Sequence, residues 1–184
     1  MMQYPLIAGR RKSPRAILST GFSLVELMVT IAVLAIIMAI AAPSFVSLYN
    51  SNRLTSQANE IIVGLQEARS DALRRNAAVT VCRSTDGLTC ANSIGAWEHW
   101  ITVDAGNAVV RHQSAKPPVG ITANVHRVVF RPDGLARAAD GSLLDAAIAV
   151  CMPTSRPAEN QRNITIRLGG RVAVTSLDAG GACT

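Results

Sequence analysis

The carboxylate of Glu26 lies near the start of an apolar run that covers residues 22–42. As an α-helix, a run of about 21 residues is long enough to cross the hydrocarbon core of a membrane. A charged side chain deep in lipid costs about 2.5–3.5 kcal/mol, so an acidic residue in such a run is a candidate functional site. The sequence therefore predicts that Glu26 acts through a cationic or hydrogen-bond-donating partner.

Four cysteines form the second group of chemically capable residues: Cys82, Cys90, Cys151 and Cys183. All follow the apolar run, where an oxidising compartment would let them pair. The pairs Cys82–Cys90 and Cys151–Cys183 are favoured, because the first closes a short polar loop and the second pins the C-terminus, each stabilising by about 3 kcal/mol. The alternative is that one or both pairs stay reduced. Zinc is not expected, because the cysteine spacing lacks C-x2-4-C and no His-x3-5-His pair accompanies it.

Catalytic motifs of nucleotide-binding, hydrolase and metalloprotease type are missing from the sequence. The three histidines, His99, His112 and His126, fall in separate predicted strands without an acid and a nucleophile, so surface or strand-filling roles are expected. Trp97 and Trp100 could stack on a base or sugar, but a core or cross-strand role is favoured. The sequence predicts a protein that is not an enzyme and that has no cofactor or metal.

The basic segment before the apolar run sets the expected membrane topology. It contains Arg10, Arg11, Lys12 and Arg15 and no acid, which keeps the N-terminus cytoplasmic and exports the rest. Without these four charges the net charge of +6 becomes 14 basic against 12 acidic residues, or +2, a weak electrostatic case for DNA binding. A cleaved secretory signal, a twin-arginine signal and a plain anchor are alternatives, and the plain anchor leaves Glu26 unexplained.

The hydrophobic pattern predicts one helix from about Phe22 to about Arg75, followed by an antiparallel β-rich domain. The helix becomes amphipathic after Pro43, with apolar positions at Leu54, Ala58, Ile61, Ile62, Leu65, Ala68 and Ala72. Opposite this stripe are Arg53, Gln57, Glu60, Glu67 and Arg74. Seven or eight short strands are expected after Ala77, ending in a hairpin that turns at Gly169-Gly170.

The stretch Gly21-Phe22-Ser23-Leu24-Val25-Glu26 resembles the class III signal of type IV pilins and pseudopilins. This resemblance implies that a prepilin peptidase cuts after Gly21 and that Phe22 becomes the N-methylated first residue. It also implies that Glu26 pairs with the terminal ammonium of a neighbouring subunit, which offsets the cost of a carboxylate in low dielectric only when subunits are in register. Pro43 is similar to a proline common in pilin helices, where it kinks or loosens the helix by removing one backbone donor.

The layout of residues 21–184 resembles the FimT/GspH family of minor pilins and pseudopilins, through VVFRPDGLAR, ITIRLGGRV and the terminal Cys183. Some FimT-like pilins bind DNA through a basic G-R-x-R motif. The matching positions here are Gly170-Arg171-Val172-Ala173, so the second arginine is missing. Arg162, Arg167 and Arg171, with Arg156, are the remaining candidates for DNA contacts, and solvated arginines on an edge hairpin are the favoured alternative.

These observations predict an α+β, type IV pilin-like fold with four segments: a cleaved leader (1–21), a transmembrane and filament-core helix (22–43), an amphipathic helix (44–76) and an exported β-rich domain (77–184). The resemblance implies a minor pilin near the filament tip that begins in the inner membrane with its domain in the periplasm. A pseudopilin of type II secretion and a DNA-binding pilin are the alternatives. The implied partners are other pilins or pseudopilins, the prepilin peptidase, the inner-membrane assembly platform, membrane lipid and, in the last case, DNA.

Overall fold

The structure is a computed structural model that describes residues 21–167 and 170–183. The described residues divide into two compact units, with the boundary between Ala39 and Ile40. Two features of the sequence lie outside the described residues, namely the basic segment from Arg10 to Arg15 and the hairpin residue Gly169.

The N-terminal helix, α1, extends from Leu24 to Arg75. At its C-terminal end Asn76 adopts a left-handed conformation with φ of 50°, and the Ala77 N–H donates to the Ala72 carbonyl over 3.3 Å. This arrangement is a common way to end a helix, because asparagine tolerates positive φ and the extra bond satisfies a terminal carbonyl. The predicted C-terminal end of the helix is therefore confirmed.

One face of the second half of α1 is buried in the domain, as the apolar spacing predicts. Its most buried apolar residues are Leu54, Ala58, Ile61, Leu65, Ala68 and Ala72. The prediction for Gln57 is wrong, because its side chain lies on this buried face and is only 2% exposed. Its amide is satisfied there: Oε1 accepts from the Lys116 N–H over 2.9 Å, and Nε2 donates to Glu60 over 2.8 Å. Burial of a side-chain amide costs the folded state little free energy when its oxygen and its nitrogen are both hydrogen-bonded.

Nine strands follow the helix within the described residues, and every pairing is antiparallel. They are β1 (Val79–Ser84), β2 (His99–Val103), β3 (Val109–Ser114), β4 (Gly120–Ala123), β5 (Arg127–Phe130), β6 (Ala136–Arg137), β7 (Ala146–Cys151), β8 (Gln161–Arg167) and β9 (Arg171–Leu177). The predicted fold class, a long helix packed on antiparallel strands, is confirmed.

The strands form two sheets, a division that the sequence pattern does not predict. One sheet has five strands in the order β3-β2-β1-β5-β6, and the other has four in the order β4-β7-β8-β9. Strand β4 is also absent from the prediction, because it has only four residues, starts with glycine and follows a proline-rich loop. Such a segment has almost no alternating hydrophobic pattern.

The buried face of α1 and both sheets share one hydrophobic core. Trp97 and Trp100 are 0% and 1% exposed, so the predicted core role of the tryptophans is confirmed. Their indole N–H groups donate to the Val125 carbonyl over 3.2 Å and to Gln113 Oε1 over 2.8 Å. These partners remove the cost of burying a polar indole nitrogen.

Two disulfides join the cysteines in the pairing that the sequence favours. Cys82–Cys90 has a Cα–Cα separation of 5.5 Å and packs with Ile101 and Val103 in a second apolar cluster. Because side chains alternate along a strand, this cluster lies on the face of the five-stranded sheet opposite to Trp100. Cys151–Cys183, with Cα atoms 5.7 Å apart, ties the C-terminal segment to strand β7.

Asn160 reinforces this C-terminal attachment from a fully buried position. Its Nδ2 donates to the carbonyls of Met152 and Ala182 over 2.9 and 3.3 Å, and its Oδ1 accepts from the Ala179 N–H over 2.9 Å. One amide therefore satisfies backbone groups of two segments, and its removal leaves them unpaired in the interior.

We expect Asn160→Ala to lower the free energy of unfolding by about 1–3 kcal/mol, the usual cost of leaving buried polar groups without partners. Urea unfolding of the full chain in detergent, followed by the fluorescence of Trp97 and Trp100, measures this change. Asn163→Ala is the matched control, because Asn163 is a partly exposed asparagine of β8, three residues after Asn160. Equal effects of the two substitutions would contradict the role of Asn160.

Candidate functional site

The residues around Gly21 form an open N-terminal segment at the start of α1. A side chain placed on Gly21 would meet no atom within 4 Å, and Phe22 is 80% exposed. The helix begins two residues later than predicted, at Leu24, because Ser23 acts as its N-cap. The Ser23 hydroxyl oxygen accepts from the Glu26 N–H over 3.1 Å.

The pair Ser23 and Glu26 has the S-x-x-E spacing of a capping box, which the sequence analysis did not use. In this motif the serine oxygen satisfies a backbone N–H that has no partner within the helix. Glu26 consequently lies in the first turn, where the positive end of the helix dipole favours a carboxylate. The local structure thus fixes where the Glu26 side chain leaves the helix.

No described residue packs over the apolar part of α1. Its large hydrophobic side chains from Phe22 to Ile40 are at least half exposed, and α1 is long and apolar enough to cross a membrane. Thr30 is one of its few polar residues, and its hydroxyl donates to the Leu27 carbonyl over 2.8 Å, so no unpaired donor remains there. Among the described residues, no ion pair involves Glu26.

Pro43 lies inside α1, which continues on both sides of it. Proline has no backbone N–H, so the carbonyl of Ala39, four residues earlier, lacks its usual helical donor. The helix is weaker at this point than in the flanking turns. The expected role of Pro43, to kink or loosen the helix for assembly, stays a prediction.

The β8–β9 hairpin brings two of the candidate arginines together. Arg167 and Arg171 are directly opposite each other in the ladder, and both are exposed. The predicted turn at Gly169-Gly170 lies partly outside the described residues. Gly170 itself has a φ of 76°, a left-handed conformation that glycine tolerates best, and its N–H donates to the Arg167 carbonyl.

Arg162 does not belong to this exposed pair, and its assignment as a DNA contact is corrected. Its side chain is on the inward face of β8 and only 8% exposed. The guanidinium donates to the Glu159 and Gln161 carbonyls over 2.9 and 3.3 Å and to the Ser51 hydroxyl over 3.0 Å. A buried guanidinium with these partners stabilises the packing of β8 on α1 and does not face a phosphate.

Arg156 is also remote from the hairpin. Its carbonyl accepts from Asn50 Nδ2 over 2.8 Å, whereas the hairpin residue Gly170 accepts from Arg69 Nη1 over 3.3 Å. Asn50 and Arg69 are 19 residues apart on α1, or about 28 Å at 1.5 Å per residue. The expected cluster therefore divides between the two ends of the domain.

Arg69 is a residue of the hairpin surface that the sequence analysis missed. Besides its bond to Gly170, it lies against Gly134 in the turn between β5 and β6. Arg69 follows Leu65 by four residues, so the helical period places it on the side of α1 that faces the domain. Only the tertiary fold, however, shows which turns contact this part of the helix. Arg167 is partly neutralised by Asp145, 3.5 Å away.

Comparison with known proteins gives a family for the chain. The family model described as Type II transport protein GspH matches residues 57–170, more than half of the 184 residues. The chain belongs to the GspH family. The model of the prokaryotic N-terminal methylation motif matches residues 18–42, which contain Gly21, Phe22 and Glu26. The predicted membership of this GspH-family chain, and its resemblance to prepilin signals, are confirmed.

Two crystal structures of one other protein support the same fold. Two crystal forms of the type IV minor pilin FimU from Pseudomonas aeruginosa PAO1 are 20% identical to the chain, with TM-scores of 0.50 and 0.52. They cover 66% and 68% of this chain and 91% and 90% of FimU. The minor pseudopilin EpsH from the Vibrio cholerae type 2 secretion system has 9% identity and a TM-score of 0.49, covering 67% of this chain and 97% of EpsH. No curated protein matches the chain.

The GspH-family chain is a minor pilin or pseudopilin, a structural subunit of a type IV pilus or of a type II secretion system. Such a subunit assembles with other pilins or pseudopilins in a filament and is anchored in a membrane by its apolar helix. The family consists of structural subunits, in accord with the lack of a catalytic motif in the sequence.

Substitution of Ser23 by alanine should weaken the first turn of α1, because the Glu26 N–H loses its acceptor. We expect the hydrogen exchange of this amide, measured by NMR on the full chain in detergent micelles, to accelerate about fivefold, for a cap worth about 1 kcal/mol. Ser23→Asp keeps an acceptor and should exchange at nearly the original rate. The cap has no such role if Ser23→Ala leaves the exchange rate unchanged.

Proposed function

We propose that this GspH-family chain is made as a prepilin and becomes a minor subunit near the tip of a type IV pilus. Its leader, residues 1–21, is removed after Gly21 by a prepilin peptidase, and Phe22 becomes the N-methylated terminus. Residues 22–43 anchor the subunit in the inner membrane and later pack in the filament core. Residues 44–76 carry the helix into the domain, and residues 77–184 form a domain in the periplasm.

Glu26 is the observation that carries this proposal. Its carboxylate projects from an exposed apolar helix and has no ion pair among the described residues. In lipid, or among packed apolar helices, a carboxylate needs a cation close by. Cleavage after Gly21 creates such a cation, the Phe22 ammonium. Its partner is the Glu26 of a neighbouring subunit, so that the charges meet only when two helices are in register.

The partners of this subunit follow from that mechanism. Other major and minor pilins provide the complementary helices, the prepilin peptidase creates the terminal ammonium, and the inner-membrane assembly platform extracts the subunit from membrane lipid. Minor subunits of this kind start a filament by packing and charge complementarity and not by catalysis.

A pilus is favoured over a type II secretion pseudopilus by the attachment of the C-terminus. The Cys151–Cys183 bond and the Asn160 hydrogen bonds hold the last described residues against the domain. A filament exposed outside the cell benefits from such attachment. A complemented gene deletion separates the two systems: loss of twitching motility with normal exoprotein secretion supports the pilus, whereas loss of secretion with normal motility identifies a pseudopilin.

The variant Glu26→Gln should be processed normally but incorporated poorly. It keeps the size of the side chain and removes the charge that the terminal ammonium of a neighbouring subunit would meet. We expect its amount in sheared filaments, relative to its amount in the membrane, to fall at least about tenfold, which corresponds to about 1.4 kcal/mol. Quantitative immunoblotting of both fractions provides the measurement.

Two further variants give this experiment its controls. Glu159→Gln removes an exposed carboxylate in the domain and should be incorporated normally. Gly21→Leu should leave the leader attached and the subunit in the membrane, visible as a slower band on a gel. Normal incorporation of Glu26→Gln would exclude the register mechanism, and normal processing of Gly21→Leu would exclude the cleavage site.

DNA binding is the second candidate function, and the hairpin geometry is the observation that favours it. Arg167 and Arg171 present two cations from opposite strands at the exposed end of the domain. Two phosphate contacts give weak, sequence-independent binding with a salt slope of about −1.8, so a threefold rise in salt should weaken it about sevenfold.

Arg171→Gln should reduce the magnitude of that slope by about 0.9, the contribution of one phosphate contact. Fluorescence anisotropy of a labelled duplex, titrated with the full chain in detergent at several salt concentrations, measures the slope. Arg156→Gln is the matched control, because Arg156 is exposed at the other end of the domain. If both variants bind like the original chain, or none binds at low salt, the hairpin is not a DNA contact.

A further inference from the structure

His99 and His112 meet on the surface of the five-stranded sheet, although the chain separates them by 13 residues. His99 Nδ1 and His112 Nε2 are 3.2 Å apart, and the ring centroids are 5.3 Å apart. In the β2–β3 ladder His99 is opposite Ser114 and His112 is opposite Ile101. The two histidines are therefore diagonal neighbours, on the sheet face that carries Ile101 and faces away from α1.

The separation of the two ring nitrogens matches that of two ligands on one metal ion. Imidazole nitrogens bind Zn²⁺ at about 2.0–2.1 Å. Two such nitrogens are therefore about 3.3–3.4 Å apart at a tetrahedral angle and about 2.9 Å apart at the right angle typical of tetragonal Cu²⁺. The observed 3.2 Å lies between these values, and it is also a hydrogen-bond distance, so an ion held by both nitrogens would replace the hydrogen bond between the two rings.

A glycine lies in close contact with the histidine pair. Gly87, with φ of 74°, passes so close to His112 that a Cβ atom there would lie 2.8 Å from Nε2. A side chain at this position would therefore clash with one of the two ring nitrogens. The loop is held in place by Asp86, whose carboxylate accepts from the N–H groups of Thr89 and Leu88, each over 2.8 Å.

The charges near the pair favour a cation. The hydrogen bonds from the backbone of Thr89 and then Leu88 hold the pKa of Asp86 well below its usual range, so the loop beside the pair keeps a negative charge. The neighbouring cation Arg111 is on the opposite face of β3, where it pairs with Glu67 of α1. Its charge is therefore compensated by a carboxylate on that face.

We propose that His99 and His112 form a two-histidine site for a divalent transition-metal ion, Zn²⁺ or Cu²⁺, on the exported domain. Imidazole is a preferred ligand of both ions. Within the described residues no group of three or more His, Cys, Asp or Glu side chains is placed to hold a metal, so water or a donor from another subunit completes the coordination. The sequence analysis did not detect this site, because it considered only close linear spacings of cysteine and histidine.

Metal titration of the full chain in detergent micelles tests this proposal. Cu²⁺ bound to the original chain should give an electron paramagnetic resonance spectrum with coupling to two imidazole nitrogens. His99→Gln and His112→Gln should each remove one coupled nitrogen and weaken Zn²⁺ binding, measured by calorimetry, at least about tenfold. Binding should also weaken at acidic pH, because a metal ligand must be deprotonated.

His126→Gln is the matched control, since His126 precedes β5 and its ring neither hydrogen-bonds to nor stacks on His99 or His112. It should leave both the spectrum and the Zn²⁺ affinity unchanged. The proposal is overturned if the original chain binds neither ion at millimolar concentration, if its Cu²⁺ spectrum lacks two coupled imidazole nitrogens, or if all three variants bind alike. The Cu²⁺ spectrum of the original chain tests the proposal by itself, because it does not require any variant to fold.

Discussion

An ionised carboxylate in an apolar environment must find a cation, and this constraint links the first turn of α1 to the assembly of a filament. The cost of leaving the Glu26 carboxylate unpaired in lipid, about 2.5–3.5 kcal/mol, is large compared with most single side-chain effects. The Ser23 cap fixes where this carboxylate leaves the helix. In our proposal the compensating charge belongs to another subunit, so the same cost that disfavours an isolated subunit favours a correctly aligned pair.

The rest of α1 shows how one helix serves two environments. Before Pro43 its apolar residues are exposed on all sides, as suits lipid or neighbouring helices. From Leu54 onwards the apolar residues occupy one stripe that forms the core together with both sheets. Pro43 removes one helical hydrogen bond between these regions. The change from continuous to periodic hydrophobicity thus marks the change of environment along a single element.

Features that depend on local sequence could be predicted, and features that depend on tertiary register could not. The helix end at Asn76, the buried stripe and most strands follow from hydrophobic period and turn chemistry. The prepilin segment is recognisable because its specific residues are contiguous. The burial of Gln57 and Arg162 was missed, because a polar side chain enters a core only when particular backbone and side-chain partners arrive from distant segments. The pairing of His99 with His112 was missed for the same reason, since it exists only through the β2–β3 register.

The proposed ion pair can be measured as the distance between the Glu26 carboxylate and the terminal nitrogen of a neighbouring subunit in an assembled filament. Solid-state NMR can measure it on filaments that mix subunits labelled with ¹³C at the Glu26 carboxylate with partner pilins labelled with ¹⁵N at the terminal amine. We expect an ionised Glu26 carboxylate within about 4 Å of the terminal amine nitrogen of a partner pilin, the distance limit for an ion pair. A protonated carboxylate, or one that approaches only the amine of its own chain, would contradict it.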